Sequence, residues 1–266
     1  MIHWHVKTLG YPRHPSIVFL HGFLGSHEDW IPICEELSGE YYFVLPDLPG
    51  HGKTVATRQT DFRMSSTARS LISYMDDHEI RNSHLVGYSM GGRLALYLAV
   101  HFQRYFMTVT LESVNPGLPD KEEKHRRVKL DEERAQEIQT IPAELFLRKW
   151  YSAPLFNSLR EHPDFESLIR QRLKMENKEW SKSLKGMGLG KQPSLWKRLK
   201  ILSVPILILA GEKDQKFRKI AFQMREIHPD FRVSVVKGCG HNIHFEKSDH
   251  FIGEINRFLN SVQEAS

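Results

Sequence analysis

The sequence predicts an α/β architecture: a mostly parallel central sheet with helices on both faces and a helical segment inserted between two strands. Three observations carry this. Short runs that are apolar along their whole length alternate with stretches whose apolar residues recur at helical spacing, as in a parallel sheet buried on both sides. The rhythm breaks at Asn115-Pro116-Gly117, and residues 119–200 are charged, helical in pattern and poor in strands. A continuous apolar run then resumes at residues 205–210.

Residues 16–20 are the first apolar run of β type, closed by His21-Gly22. Ser26 and Asp29 have capping spacing ahead of Trp30, Ile33 and Leu37, which predicts a short helix. Residues 41–45 form a second strand ended by Pro46, and residues 47–52 (Asp-Leu-Pro-Gly-His-Gly) form a turn-rich loop. Ala68, Leu71, Ile72 and Met75 line one face of a helix. Residues 83–86 form a strand followed by Gly87, residues 94–102 a buried helix and residues 107–111 another strand. Past the insertion, residues 205–210 and 232–236 are strands, and Phe251, Ile255, Phe258 and Val262 line a closing helix. The expected division is a core in two pieces, 1–118 and 201–266, with a helical cap at 119–200. Internal repeats and low-complexity tracts are absent.

Of the 266 residues, 40% are hydrophobic and 26% charged, which excludes a disordered or collagen-like chain. The longest apolar run falls short of the roughly 18 residues of a membrane-spanning helix, and the first residues lack the basic flank and apolar stretch of a secretory signal. Two cysteines, Cys34 and Cys239, make neither a disulfide framework nor a cysteine-rich zinc site. The expectation is a cytoplasmic protein with no membrane partner. Residues 119–200 hold 19 Lys and Arg against 13 Asp and Glu, and the remainder 18 against 19, so the basic excess behind the net +5 lies in the insertion. Such a surface is either simply solvated or turns some arginines inward onto an anion. Acids interleaved with the bases dilute any phosphate-tracking stripe, so nucleic acid is not an expected partner.

The chemistry is concentrated at Gly87-Tyr88-Ser89-Met90-Gly91, a G-x-S-x-G between a strand and a helix. A serine at such a sharp turn presents its hydroxyl outward, and the flanking glycines avoid collision with neighbouring backbone. A serine hydroxyl needs a base. His241, directly after the glycine turn Gly238-Cys239-Gly240, is the candidate, and His244 is its rival. The base needs an orienting acid. Asp214 follows the strand 205–210 at the end where α/β sheets place their sites, with Glu212 and Glu112 as alternatives. Two backbone N–H groups would form an oxyanion hole: that of Met90 after the serine, and that of Phe23 in the loop His21-Gly22-Phe23-Leu24-Gly25. Arg93 stands four residues after Ser89, one helical turn along on the same side, where a cation can fork onto a carboxylate. Its alternative is a salt bridge to a surface acid.

His21-Gly22, Asp47-x-Pro-Gly-His-Gly52, Gly87-x-Ser-x-Gly91, Gly211-x-x-Asp214 and Gly240-His241 together resemble the α/β-hydrolase fold family over nearly the whole chain. A narrower resemblance is to the 2-succinyl-6-hydroxy-2,4-cyclohexadiene-1-carboxylate synthases of menaquinone biosynthesis. It rests on Gly87-Tyr-Ser-Met-Gly-Gly-Arg93, Pro116-Gly-Leu118, Trp150-Tyr151 with Pro154-x-Phe156, Gly211-Glu-Lys-Asp-Gln-Lys-Phe-Arg218 and Gly240-His-Asn242. The chain departs from that pattern at Lys247-Ser248, where Asn-Pro is expected. The resemblance implies a cofactor-free lyase that eliminates pyruvate from a small polycarboxylated cyclohexene, with the triad serine as base. It implies that Arg93, Arg127 and Arg172 hold substrate carboxylates and that Tyr88 and Trp150 line the site. Arg126 can replace Arg127 in that alignment, and Arg170 can replace Arg172.

Other signals read blandly. Cys239 is a small filler, His241-x-x-His244 lacks convincing metal spacing so no metal is expected, and the glycines of residues 186–190 suggest a flexible lid segment or hinge. Two rival functions remain: a serine hydrolase (a carboxylesterase or C–C bond hydrolase) on an anionic small molecule, and a non-catalytic ligand receptor that keeps only the pocket.

Overall fold

The computed structural model describes residues 1–175 and 179–264. Seven strands form one sheet in the order β2-β4-β3-β6-β7-β8-β9. They are β2 (Val6–Leu9), β3 (Ser16–Leu20), β4 (Tyr42–Pro46), β6 (Ser83–Tyr88), β7 (Phe106–Glu112), β8 (Ile206–Gly211) and β9 (Arg232–Val236). All pairings are parallel except β2 with β4. A separate two-residue pair joins β1 (Ile2–His3) to β5 (Val55–Ala56). The apolar runs read from sequence are the central strands, and β3, β6 and β8 are buried along their full length. The edge strand β2 is the addition. Its four residues include Lys7 and Thr8 turned to solvent, too little apolar pattern to mark a strand.

One face of the sheet is covered by α2 (Met64–Asp77), α3 (Ser89–Phe102) and α9 (Gln215–Ile227), through Leu71, Met75, Leu94, Leu98 and Met224. The other is covered by α1 (Ile31–Glu36) and α11 (Ser248–Gln263), through Trp30, Ile33, Phe251, Ile255 and Phe258. The insertion between β7 and β8 contains α4 (Lys121–Thr140), α5 (Ala143–Tyr151), α6 (Asn157–Arg160), α7 (Phe165–Lys174) and α8 (Trp180–Met187). It has its own apolar centre, including Phe146, Leu147, Leu168 and Trp180, which closes over Leu24 of the core. A short α10 (Ile243–Glu246) precedes α11. Among the described residues, no helix is long and apolar enough to cross a membrane.

The glycines of residues 186–190 differ from expectation. A side chain on Gly186 would run into the Phe62 backbone, on Gly188 into Leu184 and Asp131, and on Gly190 into Val128. They are points of close packing, not loose joints.

His84 on β6 is buried, with Nδ1 2.9 Å from Thr108 Oγ1 and Nε2 without a partner. Burial pushes its imidazole down to about 4. The unfolded chain takes up that proton near pH 6.5, the folded chain only near pH 4. Stability is therefore full above about 6.5 and falls by about 3 kcal/mol as the pH drops to 4. Burial also lowers His21 and His51, with the same sign. Urea unfolding at several pH values checks this: His84→Leu should flatten part of the acid limb, and an unchanged limb would refute the assignment.

Candidate active site

The site grows out of the β6–α3 turn. Ser89 opens α3 with φ of 48°, a left-handed conformation that a non-glycine residue adopts only under constraint. The constraint is packing. A Cβ on Gly87 would stand 2.7 Å from Gly91 O and from Gly92 Cα, and one on Gly91 would overlap the carbonyls of Leu20 and His21. Without side chains at these positions, the turn seats against the end of β3 and the serine projects outward.

His241 reaches Ser89 from the loop after β9. Its Nε2 lies 3.1 Å from Ser89 Oγ, and its Nδ1 lies 2.7 Å from Asp214 Oδ2. With Nδ1–H donating to the carboxylate, Nε2 is left to accept from the serine hydroxyl. Asp214 caps α9, its Oδ1 accepting from Phe217 N at 3.1 Å, and both Asp214 and His241 are buried. Ser113, at φ of 54°, donates its hydroxyl to His241 O at 2.8 Å and pins the histidine loop. The rivals are otherwise occupied. Glu112 accepts from Ile243 N, from His244 N and, at 2.7 Å, from His244 Nδ1. The His244 ring packs against that of Trp30 at a tilt of 32°, and Glu212 accepts from Gly238 N. Cys239 is wholly buried, with its thiol pushed up to about 12 by burial, a packing residue and not a base.

The loop that presents Phe23 is held by two histidines. His21 Nε2 accepts from Leu48 N at 2.9 Å, and His51 Nε2 accepts from Leu24 N at 3.1 Å. Burial lowers both imidazoles, which suits the neutral ring such acceptance requires. Met90 lies in the first turn of α3, where backbone N–H groups have no partner within the helix. Phe23, Met90, Ser89 and His241 line one cavity of about 300 Å³ between core and insertion.

The remaining cavity wall is basic and aromatic. Arg93 is half-buried in it and donates to Met187 O at 2.8 Å and to Gln192 Oε1 at 2.9 Å, both neutral acceptors. Among the described residues no carboxylate pairs with it. Burial, reinforced by Arg127 and opposed by Asp131, pushes its guanidinium down to about 9. Arg127 faces the cavity while its Nε bonds Asp131 at 2.7 Å. Trp150 lines the wall with its ring 4.8 Å from that of Phe23.

Two expected substrate contacts lie elsewhere. Arg172 is buried and clamps both carboxylate oxygens of Asp29, with Nη2 to Oδ2 at 2.9 Å, and it also bonds Tyr151. Its charge is spent on joining α7 to the core, because an arginine buried that deeply needs a resident counter-ion. Arg126 and Arg170, the substitutes, are exposed. Tyr88 packs its ring 5.5 Å from that of His241 and 4.9 Å from that of His244, under the catalytic loop and not among the cavity-lining residues. Removing one partner of the Arg172–Asp29 pair, as in Asp29→Asn, should cost about 3–5 kcal/mol in urea unfolding, because it strands a buried charge. A loss under about 1 kcal/mol would contradict the burial argument.

Sequence reasoning missed Arg134 and Lys216, both in the cavity wall. Arg134 sets its guanidinium 5.0 Å from the centre of the Trp150 ring. The signal was available: Arg127, Leu130 and Arg134 fall at i, i+3 and i+7, one face of α4.

A parallel sheet with a serine–histidine–carboxylate chain at its strand ends, under a helical insertion, defines a class of protein. The chain belongs to the alpha/beta hydrolase fold family, whose model matches residues 15–248. It is 33% identical over 253 residues to 2-succinyl-6-hydroxy-2,4-cyclohexadiene-1-carboxylate synthase of Yersinia pestis (strain Pestoides F), covering 93% of this chain and 90% of that one. The structure of MenH from S. aureus superposes with a TM-score of 0.92 at 35% identity, covering 97% of this chain and 99% of that one. Protein PHYLLO, chloroplastic, of Arabidopsis thaliana is 32% identical over 265 residues, covering 94% of this chain, which spans only 16% of that much longer protein.

Proposed function

We propose that this protein is a lyase that eliminates pyruvate from a polycarboxylated cyclohexene to form 2-succinyl-6-hydroxy-2,4-cyclohexadiene-1-carboxylate. The observation that carries the reading is Arg93: a cation one helical turn from Ser89, in the cavity wall, with neutral partners only. An uncompensated guanidinium in such a place is costly unless an anion joins it. Arg127, Arg134 and Lys216 extend the positive wall, which suits a substrate with several carboxylates. Similarity to the named synthase over nine-tenths of both chains supports the same chemistry.

In this reading Ser89 takes a proton from carbon and passes its own to His241 Nε2, while Asp214 stabilises the imidazolium that forms. The Phe23 and Met90 amides stabilise the enolate-like oxygen. The C–H electron pair becomes the new ring double bond, and the bond to the enolpyruvyl oxygen breaks. The leaving group takes up the proton and departs as pyruvate. Residues 119–200 act as a cap that excludes water, between core pieces 1–118 and 201–266. A cytoplasmic location is part of the proposal.

The test is pyruvate release from the cyclohexene substrate, followed by a coupled reductase. Release that depends on Ser89 is the expected result. Rapid cleavage of short acyl esters without pyruvate release would replace the lyase with a serine hydrolase.

A further inference from the structure

We propose that His5, His27 and Asp47 form a divalent-cation site that takes Zn²⁺, separate from the catalytic cavity. The three side chains converge from distant stretches: His5 between β1 and β2, His27 at the start of the turn before α1, and Asp47 just after β4. Their ligating atoms all lie within 4.8 Å of one another. Two imidazoles and one carboxylate are a donor set that zinc accepts, with a water in the fourth position.

The hydrogen bonds around Asp47 give the site its coordination capacity. Oδ1 accepts from His27 N and His27 Nδ1, each at 2.8 Å. Oδ2 accepts from His5 Nδ1 at 2.8 Å and from Lys53 N at 3.0 Å. A carboxylate offers about four lone-pair positions. If the two imidazole donors turn to metal ligation, each oxygen keeps one backbone donor and frees one position, and the carboxylate stays oriented. Each ring keeps its single proton by moving it from Nδ1 to Nε2, so the neutral ring ligates without losing a proton. Tetrahedral coordination with bonds of about 2.0–2.1 Å needs ligand atoms about 3.3 Å apart, so the 2.8 Å contacts to Asp47 open by about half an ångström while the two imidazoles, now within 4.8 Å of each other, settle at the same spacing.

The surroundings admit an ion. His5 and His27 face an open cleft of about 530 Å³, with Glu28, Lys7 and Lys53 on its walls. Gly52, at φ of +51°, leaves the carboxylate room, since a side chain there would collide with Asp47. The carboxylate is wholly buried. The two lysines work against a cation, and Glu28 offsets one of them. The expected affinity is therefore below that of a four-ligand structural zinc. No local motif marks the site, because the ligands stand 22 and 20 positions apart along the chain.

Zn²⁺ titration of the full chain by calorimetry, with Co²⁺ absorption as a spectroscopic probe, tests the site. One equivalent should bind, and His5→Ala with His27→Ala should weaken it by more than about 100-fold, beyond the loss typical of outer-shell partners. Replacing the exposed His3 and His250 with alanine should change nothing. X-ray absorption on the zinc-loaded wild type should show two imidazoles at about 2.0–2.1 Å, which reads the site even if the double variant fails to fold. Failure to bind one equivalent, binding lost with His3 and His250, or a zinc shell with fewer than two imidazoles would overturn the proposal.

Discussion

Ser89→Ala should reduce pyruvate release by about 10²–10⁴-fold, the range of a positioned general base, while substrate still binds. The geometry sets both halves of that expectation. Ser89 Oγ is the group that His241 Nε2 faces at 3.1 Å, and the imidazole is oriented from behind by Asp214 at 2.7 Å. Removing the hydroxyl leaves the histidine and the amides of Phe23 and Met90 in place but takes away the atom that would meet the substrate proton. The basic cavity wall is untouched, so calorimetric affinity for the substrate should change by less than about threefold, since only an interaction specific to the transition state is lost. Stability should not fall and can rise, because alanine at φ of 48° is no more strained than serine and the site sheds a polar group. Turnover within tenfold of wild type would remove Ser89 from the chemistry and leave His241 to abstract the proton directly. Full ligand binding with no turnover in the wild type either would make the protein a receptor on this fold.

The parts of this site that were legible in the sequence are those fixed by local geometry. Gly87, Ser89 and Gly91 fall within five residues, and the turn they make follows from their own contacts. Asp214 sits just past a strand that is apolar and buried along its whole length, His241 past the shorter, half-buried β9, and parallel strands bring their ends to one edge of the sheet. Legibility fails in the insertion, where burial depends on how helices stack and not on the pattern of one segment. Arg127 and Arg172 look alike in sequence, each basic on a charged helix. One faces the cavity because α4 lines it beside the serine, and the other, on α7, turns to Asp29. Arg134 went unseen for the converse reason: with Glu132 and Glu133 before it, it read as solvated surface, although its spacing from Arg127 placed it on the inner face. Strand β2 was missed because an edge strand needs only one buried side, and four residues carry too few apolar positions to declare it.

Arg93→Met should separate function from stability. The substitution removes the cation one helical turn from Ser89, and kcat/KM should fall by about 30- to 1,000-fold, equivalent to about 2–4 kcal/mol for truncating one partner of a buried charge pair. The folded protein should lose far less. The bonds to Met187 O and Gln192 Oε1 are neutral-acceptor bonds worth about 1 kcal/mol each, and removing a poorly compensated buried charge works in the opposite direction. The unfolding free energy from urea titration should therefore change by no more than about 1 kcal/mol in either sense. Arg93→Lys keeps the charge but loses the planar fork, and should restore only part of the rate. Arg127→Met provides the internal comparison: Asp131 already holds one edge of that guanidinium at 2.7 Å, so its loss should cost less, by tenfold or more, than the loss of Arg93. The partition between kcat and KM then locates the contact. A rise in KM alone means that Arg93 grips a carboxylate equally in ground and transition states. A fall in kcat means that it also stabilises charge developing near Ser89. A kcat/KM within twofold of wild type would show that the cavity's cations are structural, and the polycarboxylate reading of the substrate would fall with them.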